Sequence, residues 1–279
     1  MNGVVLVKTK KMVCGIIIAC TLLWASGCRN QVESVSDYRL CDENAYQLPD
    51  GNTVSSWYDC DNRRLIYRLG NGDELLAVSE KMETESICED FGVLNTDAKK
   101  QIVDFYRQQA PIYDIADYLL LAYEEYSSIS EDTSFETYFI DQETVLSSSN
   151  ENIVYFTTTI MLPIKQGEYG EYKLTHAFER MTGAAINGWS LFSVAEDKVK
   201  AAFFKKCSSD ARFIDALYTA FRPEYLCLYD DGYEVSIPYD KIENYYAEND
   251  IYSVFVIWGE YTDEILSVLN WWAIPDNVH

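Results

Sequence analysis

The stretch IVYFTTTIML at residues 153–162 decides the fold, because it has the composition and the period of a β-strand. β-Branched and aromatic residues are enriched in strands. They alternate here at the period of two that a pleated strand imposes, at Val154, Phe156, Thr158 and Ile160. Residues 135–145 and 172–181 have the same character, and the polar residues 147–152 separate the first run from the second. We therefore predict three antiparallel strands.

Turn signals outward from this stretch predict two further hairpins. GNGD at residues 70–73 and DDG at 230–232 favour tight turns, because Gly, Asn and Asp tolerate positive φ. The flanking runs are 64–69 with 74–78, and 225–229 with 233–237. Residues 251–258 predict one more strand. Residues 38–61 are turn-rich around PDGN at 49–52, and the fold is expected to begin there.

Helical spacing occurs in separate blocks of the sequence. Thr96 and Asp97 can cap a first helix, and Pro111 is predicted to begin a second with a broad apolar face. Residues 194–206 and 210–221 are also helical in character, and Thr262 can cap a last helix. Blocks of strands and helices predict an α+β domain, mainly antiparallel sheet with helical hairpins packed on it. It spans residues 38–279, with a sub-boundary near residue 130.

The N-terminus has the three parts of an export signal. Lys8, Lys10 and Lys11 precede an apolar run at 12–24, which is shorter than the roughly 20 residues that span a bilayer. Residues 25–28, ASGC, resemble the lipobox of bacterial lipoproteins, although Ala25 stands where that family most often has leucine. The resemblance implies a signal peptide at 1–27 and lipidation of Cys28. The alternatives are an ordinary signal peptide ending beside a cysteine and an uncleaved membrane anchor.

The predicted anchor implies a location as well as a modification. Two acyl chains on Cys28 would hold the protein stably to the cell membrane or outer membrane, on the extracytoplasmic side. Residues 28–37 are polar and without periodicity, as expected of a tether.

The charge of the chain restricts its partners. The formal net charge is −23; residues 1–27 contain three lysines and no acid, so without them it is −26, from 19 basic and 45 acidic residues. Such a surface repels nucleic acid and anionic headgroups. It favours a basic protein or cations, unless the charge serves only to keep a surface protein soluble.

Six cysteines follow the predicted signal core: Cys28, Cys41, Cys60, Cys88, Cys207 and Cys227. An exported location permits disulfides. Proximity in sequence predicts the pairs Cys41 with Cys60 and Cys207 with Cys227, and the alternative is buried, unpaired thiols. The C-x-x-C spacing of zinc and redox sites is absent, so we predict no metal and no cofactor.

Catalytic motifs are scarce. The only histidines are His176 and His279, which excludes a site with two imidazoles inside the fold, and His176 is predicted to be a sheet residue. Ser190 in GWSLF lacks the second glycine of a nucleophile elbow and is predicted to cap a turn. Acidic pairs such as Glu124 with Glu125 are compatible with a glycosidase only if two carboxylates face each other across a cleft.

Tyrosine is unusually frequent, with 22 residues. It joins apolar area to a polar tip and is enriched at interfaces, although it also suits half-buried sheet positions. The aromatic clusters give a candidate binding surface at Tyr245, Tyr246, Trp271 and Trp272.

Residues 153–242 resemble an extracytoplasmic domain of unknown function that occurs in lysozyme-sensing anti-sigma factors and in many lipoproteins. The matching segments are Thr182-Gly183, Trp189-Ser190-Leu191-Phe192, the helix from Val194, and Ser236-Ile237-Pro238-Tyr239. The Gly-Gly-Ala-His segment of that family is replaced by QGEYG at 166–170, and the loop before the last motif is shortened to 230–232. The resemblance implies binding of a basic partner such as lysozyme.

These observations favour a membrane-anchored lipoprotein with a non-enzymatic binding role. The first alternative is an envelope hydrolase, similar to a glycosidase, that uses paired carboxylates. The second is a structural component of the envelope.

Overall fold

The computed structural model describes residues 38–82, 94–129, 134–243, 254–276 and 278. The predicted signal peptide, the tether and Cys28 lie outside these residues. So do Cys88, Tyr245, Tyr246 and the predicted sub-boundary near residue 130. Among the described residues, no helix is both long enough and apolar enough to cross a bilayer.

Eight strands form one large sheet in chain order. They are β1 (Tyr38–Gln47), β2 (Thr53–Asp59), β3 (Arg64–Leu69), β4 (Glu74–Met82), β5 (Tyr138–Ser149), β6 (Ile153–Lys165), β7 (Glu168–Glu179) and β8 (Ala185–Ile186). All neighbours are antiparallel except β4 and β5, which are parallel. The predicted α+β class with mainly antiparallel sheet is therefore confirmed. Because β4 pairs with β5, the sheet continues on both sides of residue 130.

The hairpin β1–β2 was not predicted from the sequence, although its turn at residues 49–52 was. β1 is an edge strand whose pairing with β2 shifts register at Asp42, and most of its residues are exposed. An exposed, irregular edge strand does not need the alternation of apolar and polar residues that identifies a half-buried strand.

A smaller antiparallel sheet contains β9 (Leu226–Leu228), β10 (Tyr233–Pro238) and β11 (Val254–Gly259) in the order β11-β10-β9. Tyr229 N–H donates to Gly232 O at 2.8 Å, which closes the β9–β10 turn. The hairpin predicted from DDG at 230–232 is thus present, and the strand predicted at residues 251–258 is described from Val254 to Gly259.

Within the described residues, five helices accompany the sheets: α1 (Thr96–Gln108), α2 (Ile115–Ser128), α3 (Glu196–Phe204), α4 (Ala211–Ala220) and α5 (Asp263–Leu266). Asn95, not Thr96 or Asp97, caps α1 by accepting from Ala98 N–H. The prediction that Pro111 begins the second helix is wrong, because Asp114 caps α2 three residues later and accepts from Ala116 N–H. The predicted Thr262 cap is correct, although α5 is only four residues long.

The large sheet is covered on both sides. Helix α1 packs on Phe156 and Phe178, and α2 packs on the sheet beside them. On the opposite side, Ile153 and Tyr155 belong to a core shared with the small sheet and with α3 and α4. Strand β6 is therefore buried on both faces, which its simple alternation in sequence did not indicate.

Candidate functional site

A cleft of about 460 Å³ opens at the edge of β7. The short strand β8 pairs only with Ala177 and Phe178, so among the strands that the structure describes none pairs with the preceding part of β7 on that side. The cleft is lined by Ile112, Tyr118, Leu162, Tyr172, Lys173, Leu174, Arg222, Glu224, Tyr225, Pro238, Asp240 and Lys241. Aliphatic side chains and tyrosine rings make most of the wall, and five charged side chains complete it.

Lys173 connects the cleft to a carboxylate buried between the two sheets. Its Nζ lies 2.9 Å from Glu234 Oε2, and the Glu234 side chain is only 3% exposed. Ser236 Oγ donates to the other Glu234 oxygen at 2.5 Å. Burial disfavours the charge on Lys173, but the Glu234 carboxylate outweighs it, so the pKa of Lys173 is raised above its ordinary value. Lys173 is therefore a fixed cation.

Beside Lys173, Glu234 and Ser236, buried hydroxyl and thiol groups form further polar contacts between the two sheets. Thr157 and Thr175 hydroxyl oxygens lie 2.9 Å apart, and Thr175 Oγ1 donates to Cys227 Sγ at 3.0 Å. Burial raises the pKa of the Cys227 thiol to about 11. Since the thiolate is the nucleophilic form of cysteine, burial disfavours the reactive form of Cys227.

The mouth of the cleft carries charges of both signs. Lys241 Nζ lies 2.6 Å from Asp240 Oδ2. Arg222 and Glu224 have no ion-pair partner among the residues that the structure describes. Glu224 and Asp240 are thus two carboxylates on one cleft, as the hydrolase alternative requires, but Lys241 already neutralises Asp240.

A second arrangement joins tyrosines to carboxylates at the tips of two hairpins. Tyr123 and Tyr126 are three residues apart on α2, and their rings stack with centroids 6.3 Å apart. The Tyr123 hydroxyl donates to Asp50, and the Tyr126 hydroxyl donates to Asp73 at 2.5 Å. We call these four side chains the tyrosine–aspartate face.

The two hairpin tips behind this face repeat one pattern, LPDGN at 48–52 and LGNGD at 69–73. Leu48 N–H donates to Asn52 O at 2.8 Å, and Leu69 N–H donates to Asp73 O at 2.9 Å. Each tip has a glycine with φ near +90°, a backbone conformation that favours glycine. In the first tip an aspartate, Asp50, precedes the glycine and an asparagine, Asn52, follows it. In the second tip the order is reversed, with Asn71 before the glycine and Asp73 after it. Because each copy spans only five residues, the repeat is too short for the sequence alone to predict a site.

Both carboxylates of the tyrosine–aspartate face are stabilised by neutral donors. The hydrogen bond from Tyr123 is the main cause that lowers the pKa of Asp50. In the second pair, the hydrogen bond that Tyr126 donates to Asp73 raises the pKa of Tyr126. Within the described ranges no basic side chain forms an ion pair with either aspartate. The face therefore presents negative charge without a counter-ion.

The predicted aromatic surface is only partly described by the structure. Trp271 is exposed, whereas Trp272 packs against the core of the small sheet. Tyr245 and Tyr246 lie outside the described residues, so that surface stays a prediction.

Neither predicted disulfide is formed. Cys41, Cys60, Cys207 and Cys227 are free thiols. Pairing of Tyr38 with Asp59 offsets Cys41 from Cys60 by about four residues, roughly 13 Å along the strands, which exceeds the reach of a disulfide. Cys207 donates to Phe203 O at the end of α3, whereas Cys227 faces the large sheet, so the second pair is separated by the small sheet.

His176 and Ser190, the two residues considered as catalytic candidates from the sequence, lie in a sheet strand and in a short turn. His176 lies on β7, as predicted, between the rings of Phe105 and Tyr106, and burial lowers its pKa. Ser190 lies inside a short 3₁₀ turn, and Asn187, not Ser190, caps it by accepting from Trp189 N–H.

The segments that carried the family resemblance occupy structurally constrained positions. Gly183 has φ of +73°, and a Cβ there would lie 2.2 Å from Ala98 O, so the turn can approach α1 only with glycine. Pro238, from the last segment, ends β10 and lines the cleft.

The fold defines the chain as an α+β domain built on one large, mainly antiparallel sheet. No protein-family model matches the sequence, and no curated protein matches it. The structural neighbours are DUF3298 family proteins. One, from Pseudomonas aeruginosa, has 10% identity and a TM-score of 0.38, with 72% of this chain and 88% of that chain covered. Another, from Bacteroides fragilis, has 11% identity and a TM-score of 0.38, with 84% and 93% covered.

Proposed function

We propose that this chain is a lipid-anchored, extracytoplasmic binding protein without enzymatic activity, and that its partner is a basic protein such as lysozyme. The lipobox-like sequence at Cys28 supports the anchor, and the charge of −23 supports a basic partner. The tyrosine–aspartate face is the observation that carries the proposal, because it gives the partner a place to bind.

The chemistry of this face suits lysine and arginine side chains. A cation can pair with Asp50 or Asp73 and contact the ring of Tyr123 or Tyr126 from the same position. The aspartates are held by tyrosine and asparagine donors, so a partner need not break an ion pair to reach them. Two such positions side by side favour a protein with clustered basic residues over a single small cation.

The remaining acidic surface would act on the rate of encounter. Like-signed charge spread over a protein steers an oppositely charged partner and raises the association rate, and salt screens this effect. Binding is therefore expected to be strong at low ionic strength and steeply weakened as salt is added.

Titration calorimetry of the full mature chain with lysozyme tests the proposal. We expect exothermic binding at low salt, and a loss of roughly tenfold in affinity in the double variant D50N/D73N, because close charge pairs at interfaces contribute about 1.5 kcal/mol or more. The matched control is E151Q/D215N, which removes two exposed acids elsewhere and gives the same net charge. The control should weaken binding far less.

Two results would contradict the proposal. Absence of binding heat at low salt would exclude lysozyme as the partner. An equal loss of affinity in the two double variants would show that net charge alone drives binding, and that the tyrosine–aspartate face has no special part in it.

A further inference from the structure

The large sheet has two ends with different surfaces. The hairpin tips of the tyrosine–aspartate face lie at one end. At the other end are the β5–β6 turn at residues 150–152, the β7–β8 turn at 180–184 and the 3₁₀ turn Trp271–Ala273. We call this second end the Trp271 end.

Hydrogen bonds join the three turns of the Trp271 end into one surface. Asn150 Nδ2 donates to Trp272 O at 2.8 Å and to Ile274 O at 2.7 Å. Arg180 donates to Asn150 O through its guanidinium and to Asn152 O through its backbone N–H. The Tyr155 hydroxyl donates to Ala273 O at 2.5 Å. The turn that carries Trp271 is therefore fixed to the sheet.

This rigid end exposes large apolar side chains. Trp271 is 74% exposed and Met181 is 65% exposed, more than any other large hydrophobic side chain in the described part of the chain. The other exposed large hydrophobic side chains among the described residues are Ile112 and Trp258, which are 49% and 45% exposed and lie outside this end. Both side chains lie at the same end of the sheet, and an apolar surface at one end of a fold is the kind that a membrane or a partner can cover.

The position where the chain enters the fold indicates what that partner is. β1 begins at Tyr38 and runs away from the Trp271 end, because successive pairings place it antiparallel to β5. Register sets Tyr38 level with Asp141, eight residues before Ser149, or about 26 Å from that end of β5. Residues 28–37 can span at most about 35 Å. A lipid on Cys28 can thus reach the level of the Trp271 end.

We propose that Trp271 and Met181 contact the headgroup region of the bilayer when Cys28 is lipidated. This inference rests on the proposed lipid anchor. Tryptophan prefers the membrane interface, where its ring is buried and its N–H stays hydrated. The tyrosine–aspartate face, at the opposite end of the sheet, is then presented away from the membrane towards its partner.

The charges on the Trp271 end specify the kind of bilayer. Glu151, Glu179 and Asp276 are exposed there beside Arg180, and α1 adds Asp97, Asp104 and Lys100 next to Gly183, so acids outnumber bases at this end. Anionic headgroups would be repelled by this set of charges. The surface therefore fits zwitterionic lipid.

Tryptophan fluorescence tests the contact. The lipidated mature chain is reconstituted into phosphatidylcholine vesicles whose acyl chains carry bromine near the headgroup, which quenches nearby indole rings. We expect quenching in the wild type, loss of at least half of it in W271F, and no loss in the matched control W258F, which removes another exposed tryptophan. Replacing a third of the lipid by phosphatidylglycerol should reduce the quenching.

Co-sedimentation with the same vesicles separates the two proposals. A chain that sediments with vesicles but shows no quenching dependent on Trp271 would overturn the proposed contact and leave the anchor standing. A chain that does not sediment would overturn the anchor itself. If W271F instead abolishes association between copies in detergent, with no effect on quenching, the partner of this end is a second copy and the membrane contact is refuted.

Discussion

The two sides of the large sheet are both buried, but by different chemistry. On β7, His176 and Phe178 face the helices, whereas Lys173 and Thr175 face the small sheet. The helix side is filled by aromatic rings packed edge to face. The small-sheet side contains a paired lysine and glutamate with hydroxyl and thiol groups between them. Two buried faces of one strand can thus differ in polarity, provided that the polar groups on the more polar face find partners.

The energetic difference between the sides follows from how each is satisfied. Apolar contacts on the helix side depend on filled volume, so any truncation leaves a cavity. On the other side, stability requires that every buried polar group keeps its hydrogen-bond partner. Removing one group therefore leaves another buried group unpaired, which costs free energy. Mutations on the two sides therefore test separate physical terms.

The largest effect is expected on the helix side. Phe156 is fully buried beneath α1, so F156A should lower the free energy of unfolding by about 3–5 kcal/mol. Urea denaturation followed by circular dichroism measures it. M181A, which truncates an exposed apolar side chain, is the control and should change stability by less than about 0.5 kcal/mol. A loss of unfolding free energy below about 1 kcal/mol in F156A would contradict the tight packing of α1 on Phe156.

A smaller effect is expected on the polar side. E234A removes the buried partner of Lys173 and Ser236 and should lower the free energy of unfolding by about 2–3 kcal/mol, since Lys173 is 20% exposed, partly rehydrates and keeps only the exposed Glu171. E171Q removes the other carboxylate near Lys173, at 3.3 Å, but Glu171 is 48% exposed, so the expected loss is below about 1 kcal/mol. Equal losses in the same denaturation assay would contradict the distinction between buried and exposed partners.

The smallest effect concerns pH on the helix side. Burial against Phe105 and Tyr106 lowers the pKa of His176, with the charge of Glu224 opposing the shift. Below the unfolded pKa of about 6.5, the unfolded chain takes up a proton that the folded chain refuses, so stability falls as pH decreases. The contribution of His176 reaches at most about 1.4 kcal/mol per pH unit.

The variant H176Q isolates this contribution from that of the many carboxylates. Thermal unfolding of wild type and variant between pH 7 and pH 5 should show a shallower loss of stability in H176Q. Parallel curves would show that His176 titrates alike in the folded and unfolded chain.

Local signals predicted the parts of the fold that local chemistry determines. GNGD at 70–73 and DDG at 230–232 predicted two hairpins, because tight turns need residues that tolerate positive φ. The alternation of side chains in residues 153–162 predicted β6, because a strand places successive side chains on opposite faces of the sheet. What covers each face of β6 depends on α1 and β9, which lie far away in sequence, so burial on both faces was not predictable.

The candidate site was less accessible to sequence reasoning. Lys173 and Glu234 are 61 positions apart, and only the packing of one sheet on the other brings them together. Tyr123 and Asp50 meet in the same way, across 73 positions. The abundance of tyrosine predicts a binding surface at residues adjacent in sequence, whereas the structure pairs each tyrosine with a residue from a separate element.

The parallel pairing of β4 with β5 has a consequence for the order of folding. Strands β1 to β4 and strands β5 to β7 each form a meander whose neighbours are joined by short turns, so each can zip from its own turns. The seam between them joins Leu76 to Tyr138, 62 positions apart, and carries a larger loop-closure entropy. We therefore expect two half-sheets to form early and to unite late. Until they unite, the edges of β4 and β5 can pair with strands of other chains, and this seam is where an incompletely folded chain is most vulnerable to aggregation.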